Sequence, residues 1–444
     1  MKMKRWLSCT LALAMLLGLM GCGGTSDEAP NDGSGSSEDE IVINYPTFQI
    51  GTNTAAPVVE ELVSRFNEEY AGQYRIEVEE IPGDANYADR IQVQISSGKL
   101  PPVVYGGGYS LLDLALEADL VVDLTDVVNE DPEWASMYEN DAWQAANCRD
   151  GKIYASSNEG QLIGYFYNKE LFEKAGISDV PVTVSELKDC VEKLKASGIT
   201  PFAAGYATEW TIGQFLGYGA SSILTPAAVE LGDDYKKGNW TFDQPGIDQA
   251  FDVLDLVADN TQDRPFDTDV SGQYAAFAKG DAAMMLQGNW SILQIRELNP
   301  DIKMGMFPLP ISEDKEALLF PKQYGFVINV LAASEEDPAK AEAINQFMEY
   351  FLNPENGGGY YYDEIGVPTA NAVAEPELDE ASEILQTYLQ DEKTVFTYYA
   401  YEPAGFDAES WKVTVQYLNS GTKDHKKLIE DFDNAFNKYA DALE

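Results

Sequence analysis

The chain carries one segment whose residue types are arranged as if to deliver a side chain. In FAKGDAAMMLQGNW, residues 277–290, an apolar run from Ala282 to Leu286 ends abruptly at Gly288–Asn289–Trp290. A strand apolar on both faces is buried on both faces, so an indole at its end sits at the edge of a sheet. Groups for covalent chemistry are scarce. The single histidine, His425, lies in the charged run Lys423–Lys427, and no G-x-S-x-G elbow accompanies it. A Ser-His-Asp triad therefore has no support, and a zinc site built on several histidines is excluded. His425 reads as a surface residue. The run Asp267–Gly272 begins like a calcium loop, but its twelfth position is Ala278 where a glutamate is needed, so it reads as a turn. No P-loop occurs, so the chain has no Walker-type site for ATP. Cys148 and Cys190 lack a histidine base and read as two separate thiols, a disulfide between them being the alternative. No catalytic residue, metal site or cofactor is expected.

Length and composition set the frame. A chain of 444 residues, 45% hydrophobic and 11% aromatic, can build two cores. Its formal charge of −46 argues against nucleic acid, whose phosphates are held by Lys and Arg. That charge does not fix the sign of a ligand, because exposed carboxylates are screened beyond roughly 8 Å at physiological salt. Residues 1–21 read as an export signal, with Lys2, Lys4 and Arg5 ahead of an apolar run from Trp6 to Met20. The run closes in Leu19–Met20–Gly21–Cys22, which resembles a bacterial lipobox and implies lipidation of Cys22. Residues 22–40 hold almost nothing apolar to bury and are expected to act as a tether. No second apolar run is long enough to span a bilayer. A location on the outer face of the cell membrane, anchored at Cys22, follows.

Beyond the tether, strand and helix patterns alternate. Ile41–Tyr45, a helix carrying Val59, Leu62, Val63 and Phe66, and Tyr74–Ile81 read as β-α-β. A helix from Tyr87 to Ser97 leads to Val103–Tyr105. Further strands are expected at Leu162–Tyr167, Thr200–Ala204, Ala282–Gln287 and Gly325–Leu331, with a helix over Pro338–Leu352. The alternation predicts an α/β protein with parallel or mixed sheets. In such sheets ligands sit beyond the carboxyl ends of strands, here the loops 46–53, 106–109 and 288–290.

Several ordered stretches resemble the extracellular solute-binding protein family 1, the carbohydrate receptors of ABC importers. They are GKIYASSNEGQLIGYFYNKELFEKAGI (151–177), VPVTVSEL (180–187), FAKGDAAMMLQGNW (277–290), GMFPLP (305–310) and YGFVINVLAASEEDPAKAEAINQFMEYF (324–351). The resemblance implies a two-lobed, type II periplasmic-binding-protein-like α/β fold joined by hinge crossings. One lobe would hold 41–158 plus 325–374 and the other 159–324 plus 375–444. The crossings would fall near Ser157–Glu159, near Tyr324 and after Gly366–Val367–Pro368. It also implies a monomeric receptor that passes a mono- or oligosaccharide to ABC permease subunits.

A sugar site needs aromatic faces for C–H surfaces and planar polar groups for hydroxyls. By position in the family, Trp290, Trp210 and Trp411 would supply the faces, while Trp134, Trp143 and Trp240 read as packing or surface residues. Polar candidates are Gln49, Asn53, Tyr109, Glu159 and Gln161, with Asn289, Gln323 and Asp407 as weaker additions. A tryptophan and an acidic residue common in maltodextrin-type relatives are replaced here by Gly106–Gly107–Gly108–Tyr109, which puts maltodextrin itself in doubt. The aromatic runs Tyr360–Tyr362 and Phe396–Tyr401 read as surface packing, a lining of the cleft mouth being the alternative. Two other functions remain open at this point: the same fold holding a peptide or polyamine, and a surface glycoside hydrolase using two carboxylates.

Overall fold

The computed structural model describes residues 40–51, 53, 55–106, 109–136, 147–231, 240–329, 337–352, 357, 393–403 and 405–440. Strand β1 (Ile41–Thr47) pairs in parallel with β2 (Tyr74–Glu80) across helix α1 (Ala56–Glu69). The apolar face foreseen for α1 is the buried one, from Val59 through Leu62 and Val63 to Phe66. Helix α2 (Asp84–Ser96), β3 (Val103–Gly106) and α3 (Tyr109–Glu117) follow. One core cluster gathers these elements, from Ile43 to Ala155, and adds Ala343 to Phe351 from a distant helix.

A second set of clusters is built from residues 162–436. Strand β4 (Ala155–Asn168) is longer than the sequence suggested and contributes to both sides: Ala155 belongs to the first cluster, Tyr165 and Phe166 to the others. Helix α4 (Val184–Ala196) starts as its VPVTVSEL sequence implies. Thr183 Oγ1 accepts from the Glu186 amide at 3.2 Å, and Glu186 Oε2 accepts from the Val182 amide at 2.9 Å. Next come β5 (Thr200–Ala203) and α5 (Glu209–Gln214), which runs into a π-helical turn over Phe215–Gly219. Helices α6 (Ile247–Ala258) and α7 (Val270–Lys279) precede β6 (Ala282–Gly288) and β7 (Met304–Phe307).

Strand β8 (Phe320–Asn329) begins five residues before the apolar run that marked it in the sequence, and is followed by α8 (Pro338–Leu352) and β9 (Thr394–Phe396). Residues 322–324 join it because β4 offers them a ladder, Lys322 opposite Leu162 and Gln323 opposite Gln161, while Phe320 and Pro321 pair with Thr394 and Val395 of β9. Helices α9 (Phe406–Ser420) and α10 (His425–Ala440) close the described chain. The main sheet is mixed. It runs β9-β8-β4-β6-β5, with β3 also on β8 and β7 also on β4. Strands β4 and β8 are antiparallel, and their register shifts between Gly325 and Phe326, opposite Glu159 and Ser157. A bulge there bends both strands. The third expected crossing, at Gly366–Pro368, lies outside the described residues, as do Trp143, Cys22 and Tyr360–Tyr362.

Strand β6 is buried on both faces as its composition predicts, with Ala282, Ala283, Met284 and Met285 all fully enclosed. Helix α7 stops at Gly280, whose φ of 76° gives a left-handed cap. One expectation needs correction. His425 is not a surface residue. Its side chain is largely buried, with Nε2 3.3 Å from Asp255 Oδ2 and the ring 5.7 Å from Phe251. The charged run misled because α10 turns His425 inward onto α6 while its lysine neighbours face water. Cys148 and Cys190 are both free, one at the edge of the first core and one buried in the second. Among the described residues no helix is long and apolar enough to cross a membrane.

Candidate functional site

Strand β6 ends in a short 3-10 turn, Asn289–Ser291, that sets Trp290 half-buried at the sheet edge. Gly288 is needed there for a reason other than chain reversal. Its φ of −91° is open to any residue, but the indole folds back over it, and a Cβ would sit 2.0 Å from Trp290 Cζ3. Trp290 packs against the first core cluster although its own strand belongs to the others. It therefore reaches from one set of elements to the other.

Around Trp290 lies a connected chain of rings. Trp210, second residue of α5, meets it edge to face with centroids 6.3 Å apart. Tyr218 approaches from the π turn at 6.5 Å and makes a T-shaped contact with Tyr399 at 4.9 Å. Tyr399 accepts a hydrogen bond from Trp411 Nε1 at 3.1 Å. The three tryptophans singled out in the sequence thus share one ring assembly, and two tyrosines link them. Trp134 and Trp240 are buried packing residues, Trp134 donating to Ser156 Oγ at 3.2 Å and Trp240 stacking on Tyr398.

Two glycines make this assembly possible. Gly213 and Gly217 stand one helical turn apart, on one face of α5 and the turn after it. A Cβ at Gly213 would fall 1.8 Å from Trp411 Cδ1, and one at Gly217 would fall 2.1 Å from Tyr399 Cζ. Both rings lie where side chains would otherwise be. Beneath them runs a buried amide relay. Gln214 Nε2 donates to Gln287 Oε1 at 3.3 Å, Gln287 Nε2 to Gln273 Oε1 at 2.9 Å, and Gln273 Nε2 to the Ala203 carbonyl at 3.1 Å. The relay ties the end of α5 to the ends of β5 and β6, and so helps hold the helix that carries Trp210 against the strand that leads to Trp290.

The polar candidates divide. Gln49 is buried just past β1, its backbone N–H donating to Thr47 Oγ1 at 3.1 Å. Asn53 is half-buried and spends Oδ1 on the Ala55 amide at 2.9 Å, shaping the entry to α1. Gln161 is half-buried on β4. Asn289 is fully buried, with Oδ1 accepting from the Leu162 amide at 3.1 Å. It braces β4 beneath the rings, which its place between a glycine and a tryptophan did not reveal. Asp407 is half-buried in the first turn of α9, one turn before Trp411. The side chains of Tyr109, Glu159 and Gln323 lie outside the described part, although the helix that Tyr109 opens lies against Tyr398–Ala400.

The segment 396–403 matters more than its sequence suggested. Phe396 and Ala400 pack against the first core, and Tyr398 is buried in the second. Glu402 is 4% exposed and neither carboxyl oxygen has a hydrogen-bond partner. Burial pushes its carboxyl well above the usual range, and Asp407 adds to the shift. Burial raises Asp407 too, with Asp89 of α2 contributing. Sequence reading passed over Glu402 and Tyr218, and named Tyr399 only as part of the run Phe396–Tyr401. The available signals were an acid inside the aromatic-rich run YYAYEPAGF and the glycine pair in GQFLG. Among the described residues no group of three His, Cys, Asp or Glu side chains converges as metal ligands do.

A family profile described as "Bacterial extracellular solute-binding protein" matches residues 61–388. Among curated proteins, the "Multiple sugar-binding protein" of Streptococcus mutans is 26% identical over 229 residues, 49% of this chain and 51% of that protein. The "Maltotriose-binding protein" of Pyrococcus abyssi is 26% identical over 209 residues, 46% of this chain and 41% of that protein. The chain spans about half the length of the curated relatives it matches. Among solved structures, a "Chitin oligosaccharide binding protein" aligns with a TM-score of 0.77 at 20% identity, over 91% of this chain and 100% of that one. The structure titled "SBP RafE in complex with raffinose" aligns with a TM-score of 0.71 at 22% identity, over 90% and 100%. The fold is the two-lobed α/β fold of solute-binding proteins. These are binders of solutes rather than enzymes, which sets aside the glycoside hydrolase. Most of the chain lies within the family match, and the protein belongs to the bacterial extracellular solute-binding proteins.

Proposed function

We propose that the protein captures a sugar or oligosaccharide between its two lobes and delivers it to the permease of an ABC importer. The lobes of this reading are 41–158 plus 325–374 and 159–324 plus 375–444, with the bulged pair β4–β8 as two hinge strands. The receptor is held at the outer face of the membrane by a lipid on Cys22 and works as a monomer. The observation that carries the reading is Trp290, which leaves the second set of cores to pack on the first while touching Trp210 and Tyr218. A ligand contacting both lobes shifts the balance towards the closed form. The names of the relatives and neighbours, which mention multiple sugars, maltotriose, chitin oligosaccharide and raffinose, support a saccharide.

If each stacked ring removes about 80–100 Å² of apolar surface from water, three contribute roughly 6–7 kcal/mol before association costs. Micromolar affinity needs about 8 kcal/mol net, so hydroxyl-pairing groups must supply the rest. The test is titration calorimetry and tryptophan fluorescence against a saccharide panel, with peptides and polyamines as controls. Saturable saccharide binding is expected, and Trp290→Ala and Trp210→Ala each weaken it at least about tenfold with melting close to wild type. Binding confined to peptides or polyamines, or variants that mainly unfold, overturns the assignment.

A further inference from the structure

We propose that Glu402 and Asp407 form a subsite for a positively charged amino group on the captured saccharide, an inference that rests on the saccharide reading above. Glu402 lies in a segment wedged against both cores, and its two oxygens are enclosed without any hydrogen-bond partner. An enclosed carboxyl left unsatisfied is costly, so a group absent from the free protein is required to complete it. The charges that reach it are of its own sign. Asp407 acts on Glu402, and Asp89, from α2 of the first lobe, acts on Asp407. None of the three makes an ion pair. Arg149, whose charge reaches Tyr401, is already held by Asp113 at 2.8 Å.

A neutral hydroxyl can donate to Glu402 but leaves two acids facing each other. An ammonium offers three donors and removes the repulsion. Asp407 stands one helical turn before Trp411 and within electrostatic reach of Asp89 on α2, which puts the pair beside the ring assembly. The proton balance has a definite sign. Burial raises both carboxyls in the free protein, and an ammonium beside them favours their ionised form. Binding is therefore expected to release protons, and affinity to rise with pH until the amine itself deprotonates. The titratable groups that interact with the pair are Tyr399 and Asp89, with Tyr218 acting on Tyr399.

The experiment compares matched sugars of the gluco and galacto series, mono- to trisaccharides, differing only in a free amino group, its N-acetyl form or a hydroxyl. Calorimetry in two buffers of different ionisation enthalpy reads affinity and proton release. The amino form is expected to bind at least about tenfold more tightly than its neutral partners, the size of one charge-assisted hydrogen bond. That preference shrinks with added salt and collapses in Glu402→Gln and Asp407→Asn, whose folding is checked by thermal melting. If neutral and amino forms bind alike, or if the preference survives both substitutions in folded protein, the subsite is refuted while the saccharide reading stands. If no member of the panel binds, both fall together.

Discussion

Replacing Gly213 by alanine probes the contact that holds the ring assembly together. The new methyl would lie 1.8 Å from Trp411 Cδ1 and 2.0 Å from its Nε1. Carbon atoms in good contact are about 3.5–4.0 Å apart, so the indole must retreat by roughly 2 Å. That movement breaks its hydrogen bond to Tyr399. Overpacking of this kind costs about 1–3 kcal/mol, and alanine returns up to about 1 kcal/mol through helix propensity. The net loss of stability is therefore about 0–2 kcal/mol, a drop of a few degrees at most in melting temperature. Affinity is expected to suffer more. A displaced ring forfeits about half of its stacking surface, roughly 1 kcal/mol or a fivefold loss. Calorimetry with a saccharide that binds the wild type, beside a melting curve, reads both. A variant with unchanged melting and unchanged affinity would refute the packing argument. Lost stability with full affinity would show Trp411 to be a core residue only.

Other consequences follow from the second lobe. Tyr417 donates to both oxygens of buried Asp255, at 3.0 and 3.1 Å, and His425 meets the same carboxylate. Tyr417→Phe should cost about 1.5–3 kcal/mol in urea unfolding, the range for a hydrogen bond to a charged group; a change under about 0.5 kcal/mol would show that the brace contributes nothing. Burial pushes the Cys190 thiol up to about 12, and the half-buried Cys148 is also raised. In mildly alkaline buffer a thiol reagent should therefore leave Cys190 untouched until the protein unfolds. In denaturant without reductant both thiols should react, whereas silence would reveal a disulfide.

What the sequence determined was local. Burial of β6 on both faces, the left-handed cap at Gly280, the inward face of α1 and the Thr183–Glu186 helix entry depend on patterns a few residues long. Those patterns act through backbone geometry and side-chain periodicity, and they stand in the chain as written. Trp290 was visible for the same reason, as an indole at the end of a buried strand. Tertiary structure decided which surfaces meet. That Gly213 receives Trp411 and Gly217 receives Tyr399 joins segments nearly two hundred residues apart, and a glycine in a helix does not announce which ring will cover it. The same holds for Asn289, whose amide braces Leu162, and for His425, turned inward on Asp255. Glu402 is the clearest instance. Its residue type is common on surfaces, and only the folding of two cores around its segment withdraws it from water and makes it a group in need of a partner.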